Sequence, residues 1–342
     1  MAKTKPVDMV TLIKLKHLSP LHIGTGKENY DFSSSMLHSD TLSAALAAMR
    51  AQLGKNDDLK VFLESFTISS AFPYKGKDMY FPKPQGKIGI SVKGMDAYSS
   101  RKRMKSIRFV EFGIWQALAR GVNVEITPSQ LQDDFLISED SLADFVAPYM
   151  SQVNQRVSVP RSEGLDAEPF FFEWTFFHQD AGLFCLLDAP DSMKVEILEL
   201  FSMLGENGLG TDKNIGGGKF EVEDAGAFDL GFVESPNASM LLSLYVPTQD
   251  EHGNLRLEKS KYELIQRGGY MAGSIEDNFK HLRKKSVYAF AEGSMFSTIE
   301  TLEGKVLNLH PTWNDERMHS AYRSGKPLVV KVKMNDDEHD KN

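Results

Sequence analysis

The sequence predicts an α+β chain of two β-α-β-β-α-β modules, the first enlarged by an insertion and the second degenerate. Three observations predict it. Strand-like runs fall at 10–17, 170–177, 183–188 and 219–223, and apolar residues recur at helical spacing over 41–53 and 192–204. In order these make strand, helix, strand, strand, helix, strand, the ferredoxin-like unit. A second set of short apolar runs follows at 240–246, 286–290, 305–309 and 327–332, and has the same fold in weaker form. The first module spans 1–230 with about 54–168 inserted after its first helix; the second spans 231–342 and ends in an acidic tail.

Composition narrows the function classes. The 342 residues are 41% hydrophobic, ordinary for a globular protein, and no apolar run reaches membrane-spanning length. The first residues, MAKTKPVDMV, lack the form of a signal peptide, so a cytoplasmic protein without membrane contact is expected. A net charge of −8 argues against a non-specific nucleic-acid binder, while leaving room for a specific one with local basic patches. Cys185 lies in the apolar run 183–187 and is expected to be a buried structural thiol. The nine histidines are scattered and no Cys-rich or His-x-Glu pattern is present, so neither a metal site nor a cofactor is expected.

Along the chain, residues 10–17 (VTLIKLKH) set Ile13 and Leu15 on one face and Lys14 and Lys16 on the other. The segment 21–26 (LHIGTG) ends that strand and offers His22 and Gly24 as binding residues. Ser39 and Asp40 precede Leu42, Leu46, Met49 and Leu53 on one helix face, and either is a natural N-cap. A helix N-terminus also attracts phosphate, although capping alone accounts for the pair. The insertion contains the proline-punctuated stretches 68–74 and 80–84, expected as extended pieces packed against a sheet. Its densest basic cluster is Arg101, Lys102, Arg103, Lys105 and Arg108, a candidate contact to a phosphate backbone or a solvated charge run. Arg156 and Arg161 follow on an extended piece. Residues 170–177 and 183–187 are expected as a hairpin joined by a Gln-Asp-Ala-Gly turn. In the second half Arg267, Arg283, Lys284 and Lys285 supply further positive charge.

The most distinctive stretch is 205–220, GENGLGTDKNIGGGKF. Gly208, Gly210, Gly216, Gly217 and Gly218 let backbone approach a ligand closely, and Lys213 and Lys219 stand among them. Exposed amides of such a loop can cradle anions. A Walker A loop requires a glycine five residues before the Gly-Lys pair, where this chain has Lys213. A dinucleotide fingerprint requires a third glycine where Lys213 also stands, and the loop follows a helix instead of opening one. A nucleotide-handling enzyme is therefore the weakest reading. A helix C-cap covers Gly205 and Gly208 but not three glycines in a row.

Several of these motifs occur together in one family. Residues 21–24 (LHIG), 37–42 (LHSDTL) and 68–74 (ISSAFPY), the helix with its glycine loop, and Glu292-Gly293-Ser294 resemble the RAMP superfamily of CRISPR-associated proteins. More narrowly the chain resembles the Cas-five-like subunits of type III-A (Csm) interference complexes. The resemblance implies a non-catalytic subunit that holds the repeat-derived 5′ tag of the CRISPR RNA and joins the large polymerase-fold subunit to the backbone RAMP subunits. It also implies a thumb-like hairpin that displaces a base where guide pairs with target RNA near the tag; its expected place is near 91–108. The loop departs from the family's frequent arginine-serine form, since Asp212-Lys213-Asn214 fills it and Lys213 is left as its basic contact. The RNA-binding set expected is His22, Gly24, Ser39, the five cations of 101–108, Arg156, Arg161, the glycine loop with its two lysines, Arg267, Arg283, Lys284 and Lys285. The competing reading is a metal-independent endoribonuclease of the same superfamily that processes CRISPR RNA, with His22 and His38 as acid and base.

Overall fold

A computed structural model describes residues 9–24, 33–34, 36–86, 89–159, 166–271, 279, 282–311, 315 and 317–335. The first module opens with β1 (Met9–Lys16), α1 (Ser39–Gln52), α2 (Leu59–Glu64), β2 (Thr67–Ile68), β3 (Phe72–Lys75) and β4 (Asp78–Pro82). Then come β5 (Ile90–Val92), α3 (Ala97–Ser106), β6 (Phe109–Glu111), α4 (Phe112–Ala119), β7 (Val124–Ile126), β8 (Leu131–Gln132) and β9 (Phe135–Leu136). The long strands β10 (Tyr149–Ser158) and β11 (Glu168–Phe177) precede β12 (Ala181–Asp188), α5 (Asp191–Asn207) and β13 (Glu221–Asp229).

One sheet organises these elements, in the order β13-β1-β12-β3-β4-β6-β9-β8, with β2 also beside β12. The pairs from β13 to β6 are antiparallel and β6 runs parallel to β9. Both faces of its centre are covered. Ile13, Leu15, Leu183, Cys185 and Leu187 pack with Leu42, Leu46, Ile197 and Phe201 of the helices. Leu12, Phe72, Phe184 and Leu186 pack on the other side with Phe81, Trp115 and Met240. Burial on both faces is why 183–187 is a continuous apolar run without alternation. Cys185 is fully buried within it, and burial pushes its thiol well above the usual range. The expected basic face of β1 is engaged: Lys14 lies 4.8 Å over the Tyr74 ring and Lys16 pairs with Glu223 at 2.8 Å.

Several expectations give way here. Residues 168–177 do not pair with 181–188. They pair along their whole length with β10, as a separate two-stranded ribbon, from Tyr149↔Phe177 to Ser158↔Glu168. The strand beside β12 comes instead from 67–68 and 72–75, where Pro73 hid the strand character. Residues 91–108 form the end of a short strand and a helix and contain no hairpin; β10 and β11 form a separate two-stranded ribbon. The residue capping α1 is His38, while Ser39 and Asp40 are already helical. Gly205 lies inside α5 and Gly208 caps it.

The second half contains β14 (Ala238–Leu241), β15 (Leu264–Arg267), β16 (Val287–Phe290), β17 (Met295–Phe296), β18 (Val306–Asn308), β19 (Tyr322–Ser324) and β20 (Val329–Val332). They pair as a three-stranded sheet β17-β14-β20 and two ribbons, β15-β16 and β18-β19. Among the described residues of this half no α-helix occurs, so the four-stranded, two-helix unit expected from its apolar runs is not formed by them. No helix of the described chain is long and apolar enough to cross a membrane.

Candidate nucleic-acid interface

The glycine loop leaves α5 and packs against two other segments, residues 19–24 and the base of the ribbon. Its glycines are required by that packing. A Cβ at Gly218 would stand 1.9 Å from the Leu209 carbonyl oxygen, one at Gly210 2.2 Å from the His22 carbonyl oxygen, and one at Gly217 2.7 Å from the Trp174 ring. Gly208, Gly210, Gly216 and Gly218 also take positive φ, which side chains rarely adopt. Backbone bonds complete the seam: Gly218 donates to the Pro20 carbonyl at 2.9 Å and Thr211 to that of His22 at 3.1 Å. The Ser19 hydroxyl donates to the Gly216 carbonyl at 2.8 Å and accepts from the Lys219 amide at 2.7 Å.

The loop tip is different. Lys213, Asn214, Ile215 and Lys219 are exposed, and a Cβ at Gly216 would meet open space. Among the described residues the amides of Asp212, Lys213 and Asn214 have no backbone acceptor. Beside the tip, Arg156 of β10 lies 4.1 Å over Phe172 and 5.2 Å over Trp174, and its Nη1 donates to Asp212 Oδ2 at 2.5 Å. His22 beneath is fully buried, donates from Nδ1 to the Glu173 carbonyl at 2.8 Å and stacks 4.4 Å from Phe172. The fold thus brings together His22, Gly24, Arg156, Lys213, Lys219 and the glycines, residues up to about 200 positions apart.

Three of the other candidates meet elsewhere. Asp40, almost fully buried in α1, accepts from Arg267 Nε at 2.9 Å and Nη2 at 3.0 Å, and also pairs with Arg323. Burial alone would raise its carboxyl, but the two guanidiniums overcome it and hold the group well below the usual carboxylate range. Arg323 also donates to the Gly268 carbonyl, next to Gly269, which accepts from the Lys284 amide at 2.9 Å. Burial, with Arg323 nearby, lowers the Lys284 ammonium to about 8. The Ser39 hydroxyl accepts from the Leu244 amide at 2.9 Å. Beside it His38 pairs with buried Glu292 at 2.9 Å, and Ser70 donates to the same carboxylate. Ser39, Arg267 and Lys284 therefore sit in a seam joining α1 to the second half.

Four of the five cations of the insertion's basic cluster lie on α3 and Arg108 just after it; Asp96 caps the helix by accepting from the Tyr98 and Ser99 amides at 2.9 Å. Arg101, Lys102, Arg103, Lys105 and Arg108 are all exposed, with Arg103 also donating to the Leu131 carbonyl. Arg283 and Lys285 are exposed as well, Arg283 lying 5.3 Å over Tyr270. Arg161 falls outside the described residues. Sequence reasoning missed Ser19, Asp212 as the partner of Arg156, Arg323, and the seating of Arg156 on buried Phe172 and Trp174. The alternation Phe170, Phe172, Trp174 on one strand face was the available signal.

Sequence comparison gives the class to which this sheet with its closing glycine loop belongs. The model of the RAMP superfamily matches residues 14–221, more than half of the chain, and the chain belongs to that superfamily. Residues 234–332 match the CRISPR Csm4 C-terminal domain. Similar curated proteins carry the name CRISPR system Cms protein Csm4. One from Mycobacterium tuberculosis is 25% identical over 89% of this chain and 93% of its own length; one from Streptococcus thermophilus is 25% identical over 92% and 96%. Among solved structures, a chain of a Csm3–Csm4 subcomplex of a type III-A interference complex superposes with a TM-score of 0.62 at 17% identity, covering 95% of this chain and 99% of its own. A chain of a Csm1–Csm4 cassette in complex with cA4 gives 0.60 at 18% identity, covering 96% and 99%. At these identities the structural likeness speaks for the fold.

Proposed function

We propose that this chain is the non-catalytic, RNA-binding Csm4-type subunit of a type III-A CRISPR complex. It caps the 5′ tag of the CRISPR RNA and joins the large polymerase-fold subunit to the backbone RAMP subunits, working in the cytoplasm. Its first module, 1–230, is a ferredoxin-like unit with an insertion, and 231–342 is a second, degenerate one whose described residues supply strands without the two α-helices. The spatial order β13-β1-β12-β3, fully antiparallel, supports the first of these. The assemblies in which similar chains occur, with Csm1 in one and Csm3 in another, support the linking role.

The observation that carries the reading is the junction of three segments at the loop tip. Amides that have no backbone acceptor among the described residues, two exposed lysines and an arginine seated on buried aromatics meet there, the chemistry that binds single-stranded RNA by its backbone. The ribbon beside it is the thumb that meets target RNA near the tag. The ribonuclease alternative asks His22 to exchange protons with a 2′-hydroxyl, and a fully buried ring donating to a carbonyl is poorly placed for that. His38 is tied to Glu292.

Lys213→Ala combined with Lys219→Ala is expected to weaken tag-bearing RNA binding about tenfold at moderate salt, since each lost phosphate contact removes a released counterion. Equal affinity for variant and wild type would refute the loop assignment. His22→Ala is expected to leave guide-RNA maturation intact; accumulation of unprocessed precursor would favour the ribonuclease.

A further inference from the structure

We propose that Asp212 sets the affinity and selectivity of this RNA site, its carboxylate occupying on Arg156 the place that an RNA phosphate takes on binding. The inference rests on the assignment of the loop tip as an RNA site. Arg156 is planted by Phe172 and Trp174, so its guanidinium is held in place whether or not an anion is present. A guanidinium is a planar fork of five N–H donors suited to two parallel bonds with one anion. Asp212 uses that fork through a single bond from Nη1, and among the described residues no other acceptor meets it. Oδ1 of Asp212 likewise has no donor among them. Both side chains are 28% exposed, so a phosphate from solvent can reach the pair.

An ion pair with that exposure contributes little by itself, and a competing anion can displace it. A lone anion that takes over Arg156 leaves Asp212 as a repelling neighbour. A strand that also brings phosphates to exposed Lys213 and Lys219 gains contacts the carboxylate cannot offer. Asp212 therefore penalises single or badly spaced phosphates and favours a strand whose successive phosphates fit the loop. The backbone supports this role: Asp212 is left-handed at φ 55°, and its carbonyl accepts from Ile215 at 3.0 Å and Gly217 at 3.3 Å, which fixes the side chain towards the ribbon.

The test measures binding of the full-length protein to two fluorescent single-stranded RNAs of equal length, one bearing the repeat-derived tag and one of uridylate only, over a salt series. Asp212→Asn is close in shape, and asparagine tolerates the left-handed conformation, so the variant is expected to fold. It should bind both RNAs about fivefold tighter, with a salt slope steeper by roughly 0.7, and inorganic phosphate should compete with either RNA more effectively than in the wild type. Asp212→Glu, which keeps the charge, should stay near wild type. In an Arg156→Gln background the gain from Asp212→Asn should vanish. Unchanged or weaker binding of both RNAs by Asp212→Asn, or a gain that persists without Arg156, overturns the proposal. If the double lysine variant weakens binding while Asp212→Asn fails to tighten it, the Asp212 role falls and the site stands. If the lysine variant binds as wild type does, the site assignment falls and takes the proposal with it.

Discussion

Two aspartate–arginine sites in this molecule invite comparison. On the ribbon Asp212 meets Arg156 with both side chains 28% exposed. In the seam Asp40 is 2% exposed and meets Arg267 and Arg323, exposed by 22% and 12%. The residue types are the same and the physics differs. A buried carboxylate between two guanidiniums costs much to leave unpaired, so that group is a fastener between the halves of the chain. A half-exposed pair is weak and exchangeable, so it can give way to a ligand.

The largest effect expected from breaking this contrast is in the seam. Asp40→Asn leaves two arginines without their carboxylate and should lower unfolding stability by about 3 kcal/mol, whereas Asp212→Asn should change it by less than about 1 kcal/mol. Denaturant unfolding of both variants checks this, and equal losses would erase the distinction. Gly218→Ala comes next. Its Cβ would collide with the Leu209 carbonyl at 1.9 Å and its φ is +66°, so a loss of about 2 kcal/mol is expected. Gly216→Ala, with open space around it, should cost less, the strain of its φ of +92° remaining.

The pH dependence sharpens the comparison further. Asp40 is depressed in the folded chain, so its contribution is present above the unfolded carboxyl value of about 3.9 and is lost as pH falls towards its folded value. Asp40→Asn should therefore flatten acid unfolding below about pH 4. Lys284 is depressed to about 8, so between there and the ordinary lysine value near 10.4 the unfolded chain binds more protons and stability rises with pH. Lys284→Met should remove that rise. An unaltered pH profile in either variant would show that the seam charges do not govern it.

Much of the scaffold was legible in the sequence because its signals are local. The periodicities of β1, α1 and α5, and the glycines of 205–220, lie within short windows. What was hidden depends on distant partners. The β10–β11 ribbon and β12 all carry strand composition, and only the covered faces of β12 decide which of them joins the sheet. Phe72-Pro73-Tyr74 concealed its strand behind a proline. At the site, the glycine loop and Arg156 were visible as chemistry, but not that Asp212 would pair with that arginine. Arg267 had the same composition signal as Arg156. Its fate was set by Asp40, 227 positions away.

The assignment as a tag-capping subunit stands or falls on recovery of the affinity-tagged protein from its native host, with sequencing of the bound RNA and identification of the bound proteins. The account predicts short RNAs that share one repeat-derived 5′ end, together with a large polymerase-fold protein and backbone RAMP subunits. Recovery of the protein without RNA, or with a free nucleotide in its place, would contradict it.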